Sequence, residues 1–383
     1  MKNINSLLAS NSLSLKTTEG VKFDYQQVVK FNHKWLQIIE PNDIDTSKIQ
    51  GDEIDARIDN DPLLKLLCLL FEENSEIPSE PSQLYQEGLK ILLKKWDDTH
   101  DVLGDQFYKK LSLQRKQDLL SKIAIKTFEE GEFFFKQDIE QYIYDYFFNL
   151  PNAPTNVEVL KLASEAALKS IESQHTLLVE KAKGIYSFSD LKFHEYFVAR
   201  AIAQGSNREE SEQGLKNLLS HLSETRWREV FVLVVGMLRN SDYLLRLMMQ
   251  QTDTILAADE QLQHFLIWLN QKSNSAKAIY KPSTFRAFYL EFILDIDSDD
   301  ALEDECVDYD RVNAIDIDTM TQLLNFPFSK QQKEILKQYY HANKLLIDCL
   351  QQARYVSRTL RQEIEQTLLV PSQVNSATNS AIA

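Results

Sequence analysis

Residues 175–202 read HTLLVEKAKGIYSFSDLKFHEYFVARAI, and a change of period within them decides the fold. His175–Tyr186 alternates in the manner of a strand, turns at Lys183-Gly184 and returns as a second strand. From Leu191 to Ile202 the apolar residues fall at helical spacing instead. Upstream, Ser112 can cap a helix carrying Leu119, Leu120, Ile123, Ala124 and Phe128. Gln137–Phe148 reads as a second helix. Thr155 and Glu158 read as a capping box ahead of Val159, Leu160, Leu168 and Ile171. Helices followed by a hairpin and a further helix predict a winged-helix-like module over residues 106–205.

Working outward, the rest of the chain is helical. Pro62–Glu73 (PLLKLLCLLFEE) is an apolar helix opening on proline, a good first-turn residue, and Gln83–Trp96 gives another. Beyond the module come amphipathic segments at Leu215–Leu222, Arg226–Leu238, Tyr243–Leu256, Gln261–Asn270, Thr284–Leu294, Ser329–Gln352 and Val356–Leu369. With 9 glycines and 9 prolines in 383 residues, long helices are favoured over many turns. The expected fold class is therefore mainly α: a helical lid, a winged-helix-like module with a small β-hairpin, and a C-terminal helical bundle or solenoid. The expected divisions are a disordered leader (1–20), a lid-like helical segment (21–105), the winged-helix-like domain (106–205), a helical domain (206–294), an acidic linker (295–328), closing helices (329–370) and a disordered tail (371–383).

The totals exclude several functions. A formal charge of -15 disfavours binding nucleic acid through counterion release, or an anionic membrane surface. In the third helix of the module, Lys161 and Lys169 stand against Glu158, Glu165 and Glu172, the wrong balance for a DNA groove. Cys68, Cys306 and Cys349 are few and far apart, so neither a disulfide framework nor a zinc site is expected. Nothing resembles a signal peptide or a membrane helix, so a cytoplasmic location is expected. Asp295, Asp297 and Asp299 match the first, third and fifth positions of a calcium loop. Asp300 stands where the turn needs glycine and Cys306 where a bidentate glutamate belongs, so no metal site is expected. The aromatic group of Phe133, Phe134, Phe135, Tyr142, Tyr144, Tyr146, Phe147 and Phe148 reads as helical core packing rather than a base-stacking platform. No G-x-x-x-x-G-K-[ST] stretch occurs, and with it go the phosphate cradle and its lysine.

Tyr186–Arg200 (YSFSDLKFHEYFVAR) resembles the closing motif of the NACHT NTPase family (STAND class), close to S-F-x-H-L-T-F-Q-E-Y-F-A-A. Asp61-Pro62-Leu63-Leu64 resembles the family's N-P-L-L element. Leu84–Trp96 and Trp227–Leu238 resemble the helices after that element and after the winged helix. The resemblance runs from about Phe23 to about Leu369. It implies the lid, winged helix and C-terminal helical portion of a signal-transducing ATPase, without its Walker A and B core. Many bacterial members are proposed to act in antiviral defence. By resemblance, Pro62 would pack on adenine, and Asp190 stands where the family has a phosphate-sensing histidine. A carboxylate there would repel phosphates. The expectation is a non-catalytic regulatory fragment or split subunit, acting through protein contacts with a separately encoded NTPase subunit or with copies of itself. No cofactor is expected, ATP or ADP entering only with a Walker-containing partner. The alternative is a stand-alone helical interaction scaffold with no nucleotide dependence. The abrupt junction of Met1–Gly20 with the family-like segment fits truncation or gene splitting.

Overall fold

In the computed structural model the described residues are 81–95, 106–175, 177–205, 208–275, 281–294 and 325–371, with isolated positions at 15–16, 22–23, 66, 70, 319 and 322–323. The expected lid, the acidic linker, the calcium-like run and the tail lie mostly outside them, as does Pro62. In the leader region a two-residue ladder pairs β1 (Leu15–Lys16) with β2 (Lys22–Phe23).

The described chain is mainly helical. In order, α1 is Pro81–Lys95, α2 Gln106–Lys109, α3 Leu113–Phe128, α4 Lys136–Phe148, α5 Val157–Ser170 and α6 Leu191–Ala203. They are followed by α7 Arg208–Leu219, α8 Arg228–Met237, α9 Asp242–Leu256, α10 Glu260–Ser275, α11 Pro282–Leu294, α12 Lys330–Gln352 and α13 Arg358–Thr367. Three short strands, β3 (Phe134–Phe135), β4 (Leu178–Ala182) and β5 (Ile185–Phe188), form an antiparallel sheet in the order β3-β5-β4. From α3 to β5 the order is helix–strand–helix–helix–hairpin, with one strand more than the hairpin expected from the sequence.

That strand corrects the reading of the aromatic cluster. Phe134 pairs with Tyr186 across the sheet and is buried, but its neighbours Phe133 and Phe135 are 59% and 64% exposed. Strand alternation sends adjacent residues to opposite faces, so three consecutive phenylalanines cannot all be core. Phe147 is buried while Phe148 lies on the surface, stacked on Tyr144.

Local chemistry explains the boundaries. The Ser112 hydroxyl accepts from Arg115 N at 3.3 Å and opens α3. The cap of α5 is Asn156 rather than Thr155: its Oδ1 accepts from Glu158 N at 2.8 Å and Val159 N at 3.3 Å. The hairpin turns at Gly184, whose φ of 73° lies in the left-handed region open to glycine. Ser329 and Gln332 form a reciprocal capping box at the start of α12.

Two clusters of buried side chains hold the molecule. The larger runs from α1 through the sheet and α8 to the second half of α12, ending at Leu360 and Ile364. The smaller joins α10, α11 and the first half of α12 around Phe265, Leu290, Tyr339 and Tyr340. Helix α12 therefore crosses both, with Leu336 in one and Leu350 in the other. Helix α9 makes the same passage from Leu244 to Leu256.

Candidate functional site

The best candidate is the junction where α6 is enclosed by α3 on one side and α8 on another. Every residue of α6 from Phe193 to Arg200 is buried, including three polar ones, His194, Glu195 and Arg200. A helix buried on all sides must find partners for its polar groups inside the protein.

Asp190 stands at the head of α6. Its Oδ1 accepts from Lys192 N at 2.7 Å, and its carbonyl begins the helix by accepting from His194 N. A carboxylate here also meets the positive end of the helix dipole. The structure thus gives Asp190 the work of an N-cap. Pro62, its expected partner in nucleotide binding, lies outside the described residues.

One turn along, the His194 ring points inward. Nε2 lies 3.1 Å from the Ala124 carbonyl and 3.0 Å from the Thr127 hydroxyl. A carbonyl can only accept, which puts the proton on Nε2. The ring stacks on Phe188 at 4.4 Å and meets the edge of Phe128 at 5.0 Å. Burial, with the Arg226 cation nearby, pushes its pKa down to about 4 against the opposing Ala124 bond, so the ring is neutral at ordinary pH.

Glu195 takes the opposite shift. Burial first, then the negative charge of Glu229 and of Asp190, raises its carboxyl to about 8, although Lys192 and Arg226 pull the other way. The side chain is therefore a neutral acid at pH 7. Arg226 lies over the Phe128 ring at 4.4 Å. Its Nη2 is buried with no hydrogen-bond partner among the described residues. Trp227 packs edge-on to Phe128 and flat against His221.

Two ion pairs tie this junction outward. Arg200 donates to Asp118 at 2.7 Å and to the Ser121 hydroxyl at 3.0 Å, joining α6 to α3. Arg228 pairs with Asp348, joining α8 to α12. Gly236 leaves room for the meeting of α8 with α1, since a Cβ there would lie 3.0 Å from Ser82 Oγ. Cys349 is buried, with its thiol pKa raised well above the ordinary value by burial.

The arrangement has the character of a mechanical joint: Arg200 and the neutral His194 ring tie α6 to α3, and Arg228 ties α8 to α12. No cluster of three or more metal-ligating side chains occurs among the described residues. None of the described helices is long and apolar enough to cross a membrane. The closing motif in the sequence takes in Asp190, His194 and Glu195. Nothing in it points to Arg226 or to the Arg200–Asp118 pair, whose members lie far apart along the chain.

The helices on the far side of this joint carry a likeness to a known family. Residues 310–371 match the NACHT C-terminal helical domain 2. The match takes in α12 and α13 and begins within the stretch expected to be an acidic linker. It covers less than half of the chain. No curated protein matches the sequence.

Proposed function

We propose that this chain is the regulatory, protein-contacting helical part of a NACHT-type (STAND-class) signalling NTPase. In this reading α3 to β5 is its winged-helix-like unit and the helices from α7 onward are its C-terminal helical region. The observation that carries it is the course of α12. This helix belongs to the matched NACHT C-terminal segment, crosses both buried clusters and is tied by Asp348 to Arg228 beside the α6 joint. A displacement at α6 would be carried through α8 to the far end of α12 by packed side chains, the kind of contiguous network that couples distant surfaces.

The chain is not itself catalytic in this proposal. ATP hydrolysis belongs to a Walker-bearing region, and the partners are proteins in the cytoplasm, with bacterial defence signalling as the setting. Pro62 and Asp190 are the positions that would face adenine and phosphates. Because Asp190 is a carboxylate engaged at its own helix, nucleotide is not held through α6.

The test is enzymatic. The purified chain should hydrolyse no ATP and give no binding heat with ATP or ADP. Mixed with a Walker-bearing NACHT protein encoded beside it, it should co-elute and change the ATPase rate of that protein several-fold. ATP turnover by the chain alone, or a partner rate unaltered at saturating concentration, would sink the reading.

A further inference from the structure

We infer that the loops joining α8 to α9 and α12 to α13 form an arginine–tyrosine surface that docks an acidic segment of a partner protein, one with closely spaced Asp and Glu. The inference rests on the protein-contact reading above and gives one such contact its place and its chemistry.

Residues 239–246 read RNSDYLLR and residues 354–361 read RYVSRTLR. Together they hold five of the chain's 13 arginines, no lysine and a single acid, Asp242, in a chain whose formal charge is -15. The fold sets the two stretches side by side. Ser241 N donates to the Tyr355 carbonyl at 3.1 Å, and Ser357 N donates to Asp242 Oδ1 at 2.8 Å. Arg239, Arg354 and Arg358 each lie within two residues of one of these bonds, at most about 7 Å along the chain. Tertiary contact thus makes one cationic surface from stretches that the sequence holds 115 positions apart.

The outer arginines face solvent because the other charges are engaged. The Asp242 carboxylate holds Ser357 N, Arg246 pairs with Glu363 at 3.2 Å, and Arg361 reaches towards the Leu350 carbonyl. Arg239, Arg354 and Arg358 are exposed. Neither Arg239 nor Arg358 makes an ion pair or a side-chain hydrogen bond among the described residues. Beside them Tyr243 and Tyr355 are 44% and 55% exposed. Arginine and tyrosine are the residues that dominate protein interfaces, because each offers a large, stiff contact with a polar tip. The loops are also held in shape. Ser241 is fully buried with its hydroxyl donating to the Val235 carbonyl at 3.2 Å, and Asp242 N donates to Asn240 Oδ1 at 2.8 Å. A surface fixed before binding loses little freedom on binding.

Charge complementarity names the occupant. Each guanidinium fork fits a carboxylate with two parallel N–H donors, a geometry that lysine lacks. An apolar or aromatic residue between the acids would lie on the tyrosine rings. A nucleic-acid strand is the competing polyanion. It carries a charge at every nucleotide and would run on from this small surface over a protein of net negative charge. A peptide sets its carboxylates only where the arginines stand.

The experiment is fluorescence anisotropy with the full chain and a labelled synthetic peptide of Asp and Glu residues around a central Phe, in about 150 mM salt. Wild type should bind the peptide with a micromolar Kd, and about 1 M salt should weaken binding roughly tenfold. Arg239→Glu with Arg358→Glu should weaken it by at least about tenfold at an unchanged melting temperature, since both side chains are exposed. Arg239→Lys with Arg358→Lys keeps the charge but loses the forks, and should fall between the two. Tyr355→Ala should weaken binding of this peptide but not of one with Ala in place of Phe. No binding at about 100 μM chain, or equal binding by wild type and the charge-reversed variant, overturns the inference. So does a single-stranded oligothymidine held more tightly than the peptide and lost in the same variant, which would assign the surface to nucleic acid. Any of these results leaves the regulatory reading standing on its own ATPase assay.

Discussion

At the residue scale, His194 and Glu195 are adjacent in the chain and pull stability in opposite directions with pH. The His194 pKa is lowered in the fold, from 6.5 to about 4. The unfolded chain therefore binds the extra proton first, and the stability contributed by the neutral ring is complete above pH 6.5 and lost on acidification towards pH 4. Glu195 is raised from 4.5 to about 8, so its contribution is complete below pH 4.5 and lost as pH rises through 8. Between pH 4.5 and 6.5 the two slopes offset each other. Above 6.5 only the Glu195 slope remains, and wild type should lose about 2 kcal/mol by pH 8. Urea titrations across pH separate the two. Glu195→Gln should keep its stability above pH 6.5 and fall only on acidification, whereas His194→Asn should decline steadily from pH 4.5 upward. Identical pH profiles for both variants and wild type would show that neither group is titrating as the joint requires. A second residue-scale prediction concerns Asn343. Its Oδ1 accepts from Leu369 N at 3.1 Å, and Leu369 is fully buried with a left-handed φ of 59°. Asn343→Ala strands that amide and should cost about 1–3 kcal/mol in chemical denaturation.

At the element scale, the hairpin and α6 were readable because their determinants are local. Alternation, the Lys183-Gly184 turn and the return to helical spacing all lie within a single stretch of sequence. The Gly184 φ of 73° favours glycine over a β-branched residue, and Gly184→Val should destabilise by about 1–2 kcal/mol. Strand β3 was unreadable for the same reason in reverse. Two residues are too short to show a period, and Phe134–Phe135 is extended only because β5 arrives beside it. The cap of α5 was misassigned by one residue, since Thr155 and Asn156 are both good caps and backbone geometry chooses between them. Asn156→Ala should lower the melting temperature by an amount equivalent to about 1 kcal/mol, with Thr155→Ala nearly neutral.

At the scale of the whole molecule, the matched C-terminal segment is built into the body of the protein. The second half of α12 belongs to the same buried cluster as α3, α6 and the sheet. Heating should therefore give one cooperative transition, and a chain ending before α12 should expose the apolar faces of α8 and α9 and aggregate. Two separated transitions, or a soluble folded product of that deletion, would show the segment to be an independent domain.

The sequence by itself determined the helical class, the position of most of the described helices and the hairpin, because periodicity, caps and turns are written in neighbouring residues. It also led to the NACHT likeness through the closing motif. Tertiary structure decided what those residues do. Asp190 is an N-cap because α6 begins there, and His194 is neutral because α3 and Phe188 shut it from water. Glu195 holds its proton because packing shuts it from water and α8 brings the charge of Glu229 near it. Desolvation and the company of distant charges are properties of the packed chain, and no local pattern encodes them.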